Sequence, residues 1–215
     1  MLNRVLKKNM ILIVLLCAFT ILCLIIKYNF YEDIVNIDNL VKDFVSNRLS
    51  NNTLTKSMKL LTNIASVGGV LTIFAFSIMI FRDKITRITL LSNICLVGLL
   101  SLVLKTLFSR ERPLESIIKM PTSYSFPSGH TFFAVGFYGL IVYFIYKSKI
   151  NKYIKMPLIL VFSLLIFLIG FSRIYLGVHH FTDVIGGMIF GILILSISIN
   201  TYRVLKEEKI WTGLY

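Results

Sequence analysis

A chain of 215 residues that is 56% hydrophobic and only 15% charged is not an ordinary soluble domain, in which about a quarter of the residues carry charge. The formal net charge of +13 would suit a nucleic-acid binder if the basic residues formed a patch. They gather instead in the gaps between long apolar runs, as orienting charge does in membrane proteins, and this excludes nucleic acid as a partner.

Six apolar runs, near 10–27, 60–81, 87–104, 130–146, 157–173 and 182–200, approach the roughly 20 residues needed to cross a bilayer core as helix. The first follows a basic N-terminus, and no small-x-small site precedes Lys27-Tyr28-Asn29-Phe30, which predicts an uncleaved anchor span rather than a signal peptide. Residues 28–59 form the longest polar connection. Within it Ile34, Ile37, Val41, Phe44 and Val45 recur at helical spacing and predict an amphipathic helix over 32–49. It is expected on the outer leaflet, or else as a lid packed on the spans, and without catalytic chemistry of its own. Residues 105–129 hold Pro113, Pro121 and Pro127, which predicts an irregular loop. The connection over 173–182 is short and holds the last two spans together. In the sixth run Gly187-x-x-x-Gly191 permits close helix approach, expected within the monomer rather than at a dimer seam.

The region before span one, the links between spans two and three and between spans four and five, and the region after span six carry 13 basic and 3 acidic residues. They include Arg4, Arg82, Lys147 and Lys209. The other connections carry 10 basic and 7 acidic residues. Both termini are therefore expected in the cytoplasm and the loops 105–129 and 173–182 outside. The expected architecture is all-α: a polytopic membrane protein with six transmembrane helices in a bundle and an outer-face amphipathic helix, in one domain over 1–215. Cys17, Cys23 and Cys95 lie within the apolar runs and are expected to behave as small buried hydrophobes, with neither disulfide nor metal spacing.

Polar clusters punctuate the ends of these runs: Lys105 with Arg112-Pro113, Pro127-Ser128-Gly129-His130, and Ser172-Arg173 with His179 and Asp183. A single Lys at a span end reads most simply as snorkelling to headgroups. Arg112 in a loop is less easily explained so, and Arg binds phosphate oxygens bidentately. Pro127 precedes a helix that Ser128 can cap, and such a helix start offers free N–H groups to an anion. Taken alone, the segment reads equally as a plain cap beside an interfacial His130. His179 and Asp183 are four apart and share a face if the segment is helical, so the carboxylate could fix the ring tautomer and leave the other nitrogen as nucleophile or base. Asp183 and Thr182 could also simply cap that helix. His180 is expected at a headgroup or gate, and Arg110 as a headgroup contact at most.

These clusters together resemble the three signature motifs of the type-2 phosphatidic acid phosphatase family, Lys-x6-Arg-Pro, Pro-Ser-Gly-His and Ser-Arg-x5-His-x3-Asp, with no departure at any motif position. The match covers about 105–183 by motif, together with the six-span layout. The resemblance implies a metal-independent lipid phosphate phosphatase that needs no cofactor. It implies that His179 attacks phosphorus, that Asp183 orients His179, and that His130 protonates the leaving oxygen and then activates water. Lys105, Arg112, Arg173, Ser128 and the Gly129 N–H would hold the phosphoryl oxygens. The implied substrates of bacterial members are undecaprenyl diphosphate, preferred here because an outward site suits it, then phosphatidylglycerol phosphate, then phosphatidate. Two other readings remain: a vanadate-binding haloperoxidase of the same superfamily, which would be soluble, and a non-catalytic lipid-phosphate binding or transport protein.

Overall fold

A computed structural model describes residues 1–211, the side chains only as far as Glu208, so Lys209 among the expected cytoplasmic charges lies outside the described side chains. The elements are helices: α1 (Leu2–Asn29), α2 (Tyr31–Leu49), α3 (Asn52–Ile64), α4 (Val67–Ile80), α5 (Lys84–Phe108), α6 (Gly129–Lys147), α7 (Lys152–Tyr175) and α8 (Phe181–Trp211). Among the described residues five helices are long and apolar enough to cross a membrane, and the bent pair α3–α4 makes a sixth. The chain is a multi-pass, all-α membrane protein.

The second span departs from the straight run expected over 60–81: α3 and α4 meet at an angle of 57°. Ser66 causes the break. Its hydroxyl accepts the Gly69 N–H at 3.2 Å, capping α4, while its own O–H donates to the Asn63 carbonyl at 2.7 Å. A Cβ on Gly69 would fall 2.3 Å from the Ile64 carbonyl oxygen, so this turn requires glycine.

Side-chain caps also start α3, α5 and α7. Asn51 accepts the Leu54 N–H at 2.8 Å, Asp83 accepts the Thr86 N–H at 2.9 Å, and Asn151 accepts the Tyr153 N–H at 3.0 Å. α6 passes through a π turn at Ala134–Tyr138.

α6 and α8 are the most enclosed spans, with α1, α5 and α7 around them. Phe126, Phe132, Phe190, Val97 and Leu104 fill the interior below the site. Gly187 and Gly191 of α8 make their close approach within the chain, to α6 and its cap: a Cβ on Gly187 would meet the Ser128 carbonyl oxygen at 2.8 Å, and one on Gly191 the Val135 Cβ at 2.6 Å. Gly187→Ala is accordingly expected to cost about 1–3 kcal/mol of stability by overpacking, read as a lower melting temperature in detergent. Cys17 and Cys95 are exposed on the helix surfaces and Cys23 is half-buried, which corrects the expectation of buried thiols. A small apolar side chain suits a lipid-facing position as well as an interior one.

The connections sort to opposite ends of the bundle. At one end Arg4 and Lys8 pair with Glu207 at 2.8 and 3.3 Å, and Lys206 with Asp83 at 2.9 Å. At the other, Lys27 Nζ bonds the Phe108 carbonyl at 2.5 Å, Asn51 N–H reaches the Tyr175 hydroxyl at 3.2 Å, and the Ile117 N–H bonds the Leu176 carbonyl at 3.0 Å. α2 belongs to this second end. It packs one face, with Asp38 and Val45 buried, on the spans, as the lid placement would. Its other face exposes Ile37, Leu40 and Phe44.

Candidate active site

All three polar clusters meet at the end of the bundle that carries α2. α5 delivers Lys105 in its last turn and stops at Ser109, whose backbone is left-handed with φ 43°. The chain then folds back as an irregular loop, as its prolines predict, held by its own cations. Lys105 Nζ donates to the Tyr124 carbonyl at 2.5 Å. Arg112 donates from Nε to the Ser123 carbonyl at 2.7 Å and from Nη1 to the Val178 carbonyl at 2.6 Å. Neither cation snorkels away from the bundle.

The loop ends at Ser128, whose N–H donates to the Asp183 carbonyl at 3.0 Å. Ser128 occupies the cap position of α6, but its hydroxyl accepts from Thr131 Oγ1 at 3.0 Å and not from a backbone N–H, which corrects the side-chain cap expected there. A Cβ on Gly129 would meet only Ser101 Oγ at 3.5 Å and Lys105 Cε at 3.8 Å, both ordinary contacts. The protein's own packing therefore does not demand glycine here. His130 follows in the first turn, within electrostatic reach of Arg173, His179, Arg112 and Lys105.

Arg173 sits in the last turn of α7, almost wholly buried, and donates from Nη1 to Thr62 Oγ1 of α3. Its Nε donates to no acceptor among the described residues.

His179 and Asp183 do pair, with Nδ1 and Oδ2 3.3 Å apart. The condition for a shared helical face is not met, because His179 lies in the turn before α8 while Asp183 is in the helix's first turn. Asp183 also accepts the His180 N–H at 2.9 Å, the carboxylate half of a capping box, so its capping and ring-orienting roles coexist. A carboxylate only accepts and a guanidinium only donates. Between Asp183 on one side and Arg112 Nη1, 3.3 Å from Nε2, on the other, His179 carries its proton on Nδ1 and a lone pair on Nε2.

Burial holds the His179 imidazole down to about 3, against the pull of Asp183, and also lowers His180, beside which Arg110 adds repulsion. His179 is therefore neutral at neutral pH. An unfolded imidazole titrates near 6.5, so below that pH the unfolded chain binds more protons than the folded one. Stability should be full above about pH 6.5 and fall as pH drops towards 3. Melting temperatures in detergent across that window check this, and His179→Ala should flatten the slope.

Four residues absent from the motifs complete the site. Ser125 Oγ donates to Asp183 Oδ2 and lies 3.4 Å from His179 Nδ1. Thr62 holds Arg173. Arg110, expected at most to touch headgroups, donates to Asp183 Oδ1 at 2.7 Å and to Asp38 Oδ2 at 2.5 Å. Asp38 brings α2, expected to be chemically inert, to the dyad. The readable signal was its register: Asp38 falls on the inward face with the half-buried Ile34 and Val41 and the buried Val45, where a carboxylate is out of place unless paired. His180 is half-buried, its ring 3.9 Å from Asp38, and so is not a free headgroup contact.

A cavity of about 790 Å³ opens beside the dyad. Arg110, Arg112, His179 and His180 line it together with the apolar Phe19, Ile34, Phe126, Ile185 and Ile189. A lining that mixes charged and apolar side chains suits an amphiphile.

Residues 86–206 match the PAP2 superfamily. The chain is 42% identical over 98 residues to Phosphatidylglycerophosphatase B of Bacillus subtilis (strain 168), a match covering 45% of this chain and 48% of that protein. It is 30% identical over 104 residues to Lipid phosphate phosphatase delta of Arabidopsis thaliana, covering 42% of this chain and 24% of that one. The matched segment thus spans about half or less of these relatives' lengths. Among solved structures, the transmembrane PAP2-type phosphatidylglycerolphosphate phosphatase of Bacillus subtilis superposes with a TM-score of 0.72 at 24% identity, over 95% of this chain and 96% of that one. Aquifex aeolicus LpxE gives 0.59 at 28% identity, over 77% and 93%.

Proposed function

We propose, from the premise that this chain belongs to the PAP2 superfamily, that it removes phosphate from a membrane lipid by way of a phosphohistidine. The carrying observation is the buried His179–Asp183 pair, with an unprotonated Nε2 3.3 Å from Arg112 Nη1. In this reading Nε2 attacks phosphorus and forms the N–P bond as the bond to the leaving oxygen breaks. Asp183 stabilises the charged ring. His130 gives its proton to the leaving oxygen, then takes one from the water that cleaves the N–P bond and releases inorganic phosphate.

Lys105, Arg112 and Arg173 offset the phosphoryl charge, with Ser128 and the Gly129 N–H on the remaining oxygens. The unused Nε of Arg173 and the absence of any packing demand for glycine at 129 support this assignment. Three fixed cations do the work that a divalent ion does in many phosphoryl-transfer sites, so the reaction is expected to need no metal.

The whole of 1–215 forms one catalytic domain in this reading, with both termini cytoplasmic and the site facing outside. The substrate is a lipid phosphate or diphosphate. The Bacillus subtilis relative's name makes phosphatidylglycerol phosphate a substrate to test beside undecaprenyl diphosphate, and phosphatidate completes the set.

The test is phosphate release by detergent-purified full-length protein from each of the three lipids, with EDTA present. Release that survives EDTA supports the reading, and the relative rates rank the lipids. Absence of release from all three, in folded protein that still binds the lipids, would move a binding or transport role to the front.

A further inference from the structure

We infer that Asp38 and Arg110 are positioning residues for the His179–Asp183 pair, Asp38 offsetting the Arg110 charge so that Asp183 keeps its pull on the His179 ring. The inference rests on the phosphatase reading above.

The geometry is a chain of alternating charge. Arg110 puts Nη1 on Asp183 Oδ1 at 2.7 Å and Nη2 on Asp38 Oδ2 at 2.5 Å. The side chains of Asp183, Asp38 and Arg110 are 0%, 1% and 15% exposed, so water screens them little. Thr182 locks the far end: its N–H donates to Asp38 Oδ1 at 2.9 Å and its hydroxyl to Oδ2 at 2.9 Å.

A guanidinium is planar and always charged. Held between two carboxylates it fixes the plane of Asp183, and with it the aim of the His179 ring. Its charge alone would work against catalysis. A lone buried cation this close to Asp183 would draw the carboxylate away from the ring proton and would oppose the positive charge that His179 gains on binding phosphorus. Asp38 cancels that charge. Two carboxylates and one guanidinium then present His179 with one net negative charge, as a lone aspartate would, but with the geometry held.

The competing explanation is a brace that docks α2 on α8. A brace would affect stability; a positioning device would affect the chemical step. The test compares full-length wild type, His179→Ala, Asp38→Asn and the double variant Asp38→Asn/Arg110→Gln. Each is measured for kcat and KM on the best lipid, for inhibition by orthovanadate, which mimics the phosphoryl-transfer transition state, and for melting temperature. Asn is isosteric and keeps an acceptor for Thr182.

Asp38→Asn should lower kcat by roughly tenfold or more with KM within about twofold, and orthovanadate should inhibit it correspondingly less. The double variant, relieved of the uncompensated cation, should lose no more than Asp38→Asn. A wild-type kcat in Asp38→Asn overturns the inference, as does a loss confined to KM or one that leaves orthovanadate inhibition intact. If Asp38→Asn does not fold, the double variant decides, because it removes the Asp38–Arg110 ion pair whole and strands neither of its members, while Asp183 keeps Ser125 Oγ and the His180 N–H: a lowered kcat with unchanged KM supports the inference and a wild-type kcat overturns it. Absence of His179-dependent release from wild type would instead sink the phosphatase reading itself.

Discussion

Phosphate release by His179→Ala should fall by at least about 10³-fold on every lipid that the wild type hydrolyses. The substitution removes the nucleophile and opens a small polar cavity beside Asp183, whose Oδ2 still accepts from Ser125 and the His180 N–H. Oδ1 still receives Arg110. The carboxylate is therefore not stranded, and the fold should survive. Lipid binding should persist, because Arg112 is anchored by the Ser123 and Val178 carbonyls independently of the ring. Labelling with ³²P-lipid, quenched in base where phosphohistidine survives, should trap label on wild type and none on the variant. Residual turnover near the wild-type rate would remove His179 from the chemistry.

His130→Ala should cost about 10²–10⁴-fold, the usual contribution of a general acid–base group, and the loss should depend on the leaving group. Phosphatidate leaves an alkoxide, which needs the proton. Undecaprenyl diphosphate leaves a phosphate monoester, stable as an anion without one. The first step should therefore suffer less for the diphosphate than for the monoester. The second step, attack by water on phosphohistidine, needs His130 for both. The variant given the diphosphate should then show a burst of about one phosphoryl group per protein, followed by a stall with base-stable label on the chain. Equal losses on both substrates, with no accumulated label, would assign His130 to phosphate binding rather than proton transfer.

The site was legible where chemistry dictates residue type at fixed spacing. Lys105, Arg112, Ser128, Gly129, His130, Arg173, His179 and Asp183 all lie at one end of the bundle, on α5, α6, α7, α8 and the adjoining loops. What spacing could not reveal was how the groups reach each other. The His179–Asp183 pairing came from a turn leading into a helix, not from a helical face. Arg110 lies two residues from Arg112 in the chain, but its partners are 72 and 73 residues away, and nothing local announces such a pairing. Thr62 and Arg173 are separated by 111 residues. The bend between α3 and α4 was hidden because mean hydropathy averages over a run, whereas Ser66 and Gly69 act through single hydrogen bonds and contacts.

The sequence by itself determined the membrane class, the apolar spans and their order, the charge bias between the two sets of connections, and the polar residues that the structure gathers into the candidate site. Each follows from properties summed over a window of some 20 residues or from side chains irreplaceable in their roles. Only the tertiary structure decided that α2 is tied through Asp38 to the dyad, that Arg110 and Ser125 hold Asp183, and that α3 bends to meet Arg173. Those contacts join segments distant in the chain. Their energy comes from burying charge and hydrogen-bonding groups against each other, which exists only once the helices have packed.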